Sequence, residues 1–115
     1  MRNDRPNLIV DKTFQFSLKI MDFAEELQEQ RKYVFANQLL KSGTSIGANV
    51  REAQNAESKA DFIHKMKIAA KEADETEYWL LLCSMKESYP SNPVLISEIK
   101  ELIKIISKII SSSKS

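Results

Sequence analysis

KSGTSIGANVREAQNAESKADFIHKMKIAAKEADETEYWL, residues 41–80, contains the second half of one helical pattern, its stop, and most of the next. Upstream, Val34, Phe35 and Leu39 begin an apolar beat that Ile46, Val50 and Ala53 continue, which predicts a helix over roughly 33–56. SGTSIGAN, residues 42–49, interrupts it with both glycines of the protein. An interior glycine costs a helix about 1 kcal/mol relative to alanine. Gly43 and Gly47 are four apart and share a face, so a continuous or slightly bent helix that admits a close neighbour is expected. The alternative is a new helix N-terminus at Thr44 or Ser45, whose free amides would hold an anion. In SKAD, Ser58 and Asp61 form a capping-box pattern. Behind it Phe62, Met66, Ala69, Ala70, Ala73, Thr76, Leu80 and Cys83 mark the buried side of a third helix over 59–88, roughly 45 Å long at 1.5 Å per residue.

Working outward, Phe14, Leu18 and Met21 interleave with Phe16, Ile20, Phe23 and Leu27, giving a first helix over 11–30 with a broad apolar face and Asp11 as its cap. YPSNP, residues 89–93, closes the third helix, and Asn92 with Pro93 at the first turn opens a fourth over 93–111. Leu95, Ile99, Leu102, Ile106 and Ile109 form its seam, and SSSKS reads as a frayed end. Four helices with short joins are antiparallel neighbours, so the fold class is all-α: one up-down four-helix-bundle domain over residues 1–115. Ile96, Ile103 and Ile110, seven apart, widen the fourth helix beyond its seam, and the first helix has a similar surplus. Such spare apolar surface predicts a subunit interface, for which these three isoleucines are the candidates.

Composition narrows the function classes. Among 115 residues there are 17 Lys and Arg, 16 Asp and Glu, one His, one Cys and two Gly, for a net charge of +1. A single cysteine excludes an intrachain disulfide framework and a Cys-based zinc cluster. The N-terminus lacks a signal-peptide core and no run approaches the ~20 apolar residues of a spanning helix, so a cytoplasmic protein without membrane association is expected. Near-neutral charge argues against a strongly basic nucleic-acid binder. Arg31, Lys32, Lys41, Arg51, Lys65, Lys67 and Lys71 are nevertheless numerous around the second and third helices and are candidates for phosphate contacts.

No catalytic constellation emerges. His64 has Asp61 and Lys67 as helical neighbours and no nucleophile on its face, so a surface histidine is expected. Cys83 lies on the apolar beat and reads as a small buried hydrophobe. Glu72, Glu75 and Glu77 crowd the third helix, but di-iron bundles require Glu-x-x-His motifs that this chain lacks. A carboxylate-only Mg²⁺ site is the weaker alternative to a solvated, ion-paired face. Neither a cofactor nor a metal is expected. Glu52 with Glu72 or Glu75 is placed to bond polar groups between helices, and Asn49, one turn beyond Ser45, to face inward and bond a backbone carbonyl or another side chain.

The pair Lys41–Ser42, Ser45–Ile46, Asn49, Glu52 before a small residue, Ser58, Phe62 and the acidic run Glu72, Glu75 and Glu77 together resemble the 23S rRNA-intervening-sequence (S23-like) proteins. The resemblance covers about residues 10–110. Many members have proline at the position of Gly47 and glycine at that of Ala53, so a proline kink is not carried over. The resemblance implies an up-down four-helix bundle in a homo-oligomeric ring, typically a homopentamer, of undefined cellular role. More distantly the chain is similar to the accessory pentamers of diversity-generating retroelements, which associate with nucleic acid. The function expected is therefore a non-enzymatic oligomeric scaffold or adaptor, with weak, salt-sensitive RNA or DNA binding by the ring as alternative and a carboxylate-dependent metalloenzyme as the least favoured reading.

Overall fold

A computed structural model describes residues 7–114, within which four helices follow one another: α1, Leu8–Glu29; α2, Tyr33–Ala53; α3, Lys59–Met85; and α4, Pro93–Ser113. Local chemistry sets their ends. The Asn7 side chain accepts from the Val10 amide, and Ser58 and Asn92 accept from Asp61 and Leu95 in the same way. Each satisfies an amide that a helix start leaves without a carbonyl. α1 thus begins three residues before the expected position, because Asn7 rather than Asp11 caps it; Asp11 lies in the first turn, where a carboxylate favours the positive helix end. The expected frayed end is helical through Ser113, whose hydroxyl donates to the Ile109 carbonyl. α2 and α3 each end three residues short of their expected limits. Between α1 and α2, Arg31 adopts φ 63°, a left-handed conformation that reverses the chain in a three-residue join.

Cross-helix pairs fix the arrangement. Gly43 faces Ile20 and Gly47 faces Thr13; Ser42 meets Thr76 and Glu52 meets Lys65; Glu77 meets Lys100; Lys12 and Lys19 meet Glu101 and Glu98. In every two-pair series one number rises as the other falls, so neighbours run antiparallel in the order α1, α2, α3, α4 and back to α1. The rod measures 45 × 21 × 21 Å. Its core is one continuous cluster with contributions from all four helices, including Phe16, Ile20, Leu39, Ile46, Met66, Leu80, Ile99 and Ile106.

Helix α2 is continuous through both glycines, which overturns a helix start at Thr44 or Ser45. Neither glycine has positive φ, so backbone freedom is not their use. A Cβ on Gly43 would lie 2.8 Å from two Ile20 carbons, and one on Gly47 would lie 3.2 Å from the Thr13 carbonyl oxygen. The glycines let α1 close on α2, as their shared face predicts. The α1–α4 side is different, bridged by the Lys12–Glu101 and Lys19–Glu98 ion pairs over a groove of about 330 Å³. Hydrogen bonding to Glu101 raises the Lys12 pKa above its ordinary value. Cys83 is buried on α3, and desolvation pushes its thiol pKa up to about 11, so the group is a neutral packing residue at physiological pH.

Candidate interaction surfaces

The polar residues singled out in the sequence divide by helix face. Along the α2–α3 seam, buried Ser42 and Thr76 share a hydrogen bond, their hydroxyl oxygens 2.9 Å apart. One turn on, the Ser45 hydroxyl donates to the Lys41 carbonyl at 2.6 Å, and the Asn49 amide donates to the Ser45 carbonyl at 2.8 Å. Glu52 pairs with Lys65 across the seam at 3.0 Å. Asn49 therefore bonds a carbonyl one turn back on its own helix and Glu52 bonds between helices, whereas Glu72 and Glu75 make their bonds within α3. Lys41 points its charge outward on an exposed residue.

The acidic run on α3 spreads out. Glu75 accepts the Trp79 indole N–H at 3.1 Å, Glu77 pairs with Lys100 of α4 at 3.0 Å, and half-buried Glu72 supplies its carbonyl to Thr76. Among the described residues, no three His, Cys, Asp or Glu side chains converge as a metal site would require. His64 is exposed. Of these groups Glu77 alone ties two helices together, while Glu72 and Glu75 bond within α3, and among the described residues they do not gather around one point.

The cations sort similarly. Lys65 is committed to Glu52, and the Lys32 ammonium lies 4.5 Å from the centroid of the Tyr89 ring, a cation–π contact. Arg31, Lys41, Arg51, Lys67 and Lys71 are exposed, and none forms an ion pair with another described residue. Lys67 and Lys71, one turn apart, share a face of α3; the others are distributed over α2 and the turn before it.

Apolar surface is where the chain departs most from what a self-contained bundle needs. Helix α1 has two apolar rows: Phe16, Ile20, Phe23 and Leu27 are buried, whereas Phe14, Leu18 and Met21 are exposed. Phe14 is 55% exposed and stands with Val10 and Ser17 opposite Thr44, Gly47, Ala48 and the charged Arg51 of α2, around a groove of about 260 Å³. Leu40 adds to the exposed apolar surface of α2. This face exists because the glycine contact seats α1 against α2 and turns the second row outward. On α4, Ile96, Ile103 and Ile110 are half-buried and packed against the core.

A second exposed group lies where α2 starts and α3 ends. Phe35 packs against Trp79 and Tyr89 with centroids 5.3 and 4.9 Å apart, and Tyr78 meets Trp79 at 5.5 Å. Val34, Tyr78, Leu81 and Met85 remain exposed around them. Sequence reading did not single out this cluster. Its signal is the Tyr78–Trp79 pair at the end of a long helix, but Phe35 and Tyr89 join it only through the fold.

The family model described as 23S rRNA-intervening sequence protein matches residues 5–112. A solved structure similar to this one is a protein of unknown function from the S23 ribosomal protein family of Bacteroides thetaiotaomicron. The two share 43% identity over 89% of this chain and 97% of that one, with a TM-score of 0.84. No curated protein matches significantly. Neither likeness bears on retroelement accessory proteins. No helix in the described residues is long and apolar enough to cross a membrane.

Proposed function

We propose, on the premise that the chain belongs to the 23S rRNA-intervening sequence protein family, that it is a non-catalytic scaffold or adaptor that assembles with copies of itself into a ring, a homopentamer. The observation that carries this reading is the exposed Phe14, Leu18 and Met21 row beside Leu40 and the Gly47 groove. Contiguous apolar surface of this kind is costly to leave in water and is characteristic of subunit contacts. The half-buried Ile96, Ile103 and Ile110 rest on the core and contribute less free surface. A non-catalytic role is supported by the divergence of the carboxylates, the exposure of His64 and the burial of the Cys83 thiol.

Size-exclusion chromatography with light scattering tests the assembly. At micromolar concentration the expected mass is five times the 13.2 kDa of one chain. Phe14→Glu places a charge in the exposed row without touching the core and should reduce the mass to that of a monomer with unchanged helicity. A monomeric wild-type protein defeats the proposal.

Nucleic-acid binding by the assembled ring is the second reading, favoured by the five exposed cations without ion pairs. Repetition around a ring multiplies weak contacts through effective concentration. Filter binding of a structured RNA should then weaken steeply between about 50 and 200 mM salt. Binding that is absent at low salt, or indifferent to salt, excludes it.

A further inference from the structure

We propose that α4 is a strap that swings away from α1 while remaining on α3, and that Lys12 and Lys19 form the ionic latch that holds it closed. Three of the four seams lie between helices joined by a short turn, whereas α1 and α4 have no such join. The joined seams are also interlocked. Gly43 seats α2 on Ile20 of α1, and a buried Ser42–Thr76 hydrogen bond ties α2 to α3. Half-buried Ile96 and Ile103 flank the Lys100–Glu77 pair between α4 and α3. The α1–α4 seam instead holds two grooves of about 330 Å³ each, and Lys19 lines both. Phe16 with Leu102, and Phe23 with Leu95, line them from the core side, each no more than 3% exposed. What spans this seam at the surface is the Lys12–Glu101 and Lys19–Glu98 pairs, so it is the seam that a local opening disrupts least.

Charge makes the lysines a latch. Helix α1 lines the two grooves with Asp11, Lys12, Lys19, Asp22 and Glu26, and α4 with Glu98 and Glu101. Among the described residues lining them, two cations thus stand between five carboxylates. An exposed ion pair by itself shifts an equilibrium only about two- to fivefold. Here each lysine also offsets repulsion, because without it Glu98 and Glu101 face the carboxylates of α1 and like charges push α4 outward. Hydrogen bonding to Glu101, with the charges of Glu101, Glu98 and Asp11, raises the Lys12 pKa, so this half of the latch stays cationic at neutral pH. Opening uncovers Phe16, Phe23, Leu95 and Leu102. The seam is separate from the Phe14 groove, which α1 shares with α2, and the inference does not rest on ring assembly.

Hydrogen–deuterium exchange resolved by peptide mass, on the full-length protein, reads the opening directly. In the wild type, α4 amides should exchange at least about tenfold faster than those of α2 and α3, through an opening smaller than global unfolding. Lys12→Met with Lys19→Met keeps the apolar stems over the grooves and removes both charges. This variant should speed α4 exchange about tenfold more, with α2 and α3 unchanged. In about 1 M NaCl, where the Debye length is about 3 Å, the difference between variant and wild type should nearly vanish. Adding Glu98→Gln and Glu101→Gln removes the repulsion and should bring α4 exchange back to within about threefold of the wild type. Exchange of α4 in step with α2 and α3 overturns the proposal, since the bundle then opens only as a whole. So does a Lys→Met variant that exchanges like the wild type, which would leave the lysine stems and not their charges as the closure. Failure of the two glutamine changes to restore protection overturns it as well.

Discussion

Replacing Gly43 with valine is expected to destabilise the protein by roughly 2–3 kcal/mol, despite removing a glycine from a helix interior. Propensity alone predicts the opposite sign, since glycine is among the poorest residues for a helix. Packing decides. The new Cβ would lie 2.8 Å from two carbons of Ile20, a fully buried β-branched side chain with little freedom to move. Either Ile20 leaves its rotamer or α1 moves off α2, and both disturb a close-packed core. For a domain of this size the thermal midpoint should fall by about 8–12 °C in a calorimetric scan. Combined with Ile20→Ala, Gly43→Val should cost clearly less than the sum of the two changes, because the added methyls then enter the space that Ile20 vacates. Additive effects, or a gain in stability from Gly43→Val alone, would show that the two helices do not approach closely here. Gly47 provides the internal contrast. A Cβ there would meet the Thr13 carbonyl oxygen at 3.2 Å and Ser17 Oγ at 3.4 Å, so a shift of a few tenths of an ångström suffices and its alanine variant should differ little from wild type.

The second large effect is expected at the buried Ser42–Thr76 pair. Thr76→Val keeps the shape of the side chain and removes the hydroxyl that meets Ser42 Oγ at 2.9 Å. Ser42 is fully buried, so its hydroxyl then loses a partner where water does not reach, at a cost of about 1–3 kcal/mol. Adding Ser42→Ala removes the orphaned group and should recover most of that loss, giving a positive coupling in a urea-denaturation double-mutant cycle. A double variant as unstable as the sum of its parts would mean that the hydroxyls do not depend on one another. No buried side-chain nitrogen or oxygen among the described residues lacks a partner, which makes this seam a satisfied polar contact rather than a vacant site.

These two contacts also show how far the chain could be read without its fold. The four helices follow from short-range signals: apolar residues at spacings of three and four, Ser58 and Asn92 as caps, Pro93 at a first turn. Such signals act within one turn and are complete in the local sequence. α1 starts three residues before the position that Asp11 marks, because Asn7 and Asp11 are both good caps and local pattern does not choose between them. The small-residue face at Gly43 and Gly47 was legible as a close approach, but not its partner, since Ile20 and Thr13 lie far away in sequence. The candidate site was less legible still. Lys41, Ser42, Ser45, Asn49 and Glu52 stood out as a group, and they serve the α2–α3 seam or carry exposed charge. The aromatic groove passed unnoticed because Phe35, Trp79 and Tyr89 belong to separate elements.

Helix periodicity, capping and short joins are local and leave few ways to connect four amphipathic rods, so an all-α bundle with antiparallel neighbours is written in the order of residues. Tertiary structure alone decided which apolar residues are spare. Phe14 and Phe16 are the same residue type two positions apart, yet one is exposed and the other buried. The difference is the rotation of α1 about its axis, set by the fit of Ile20 and Thr13 against two glycines on another helix. That contact is a property of two surfaces meeting, and neither stretch of sequence contains it.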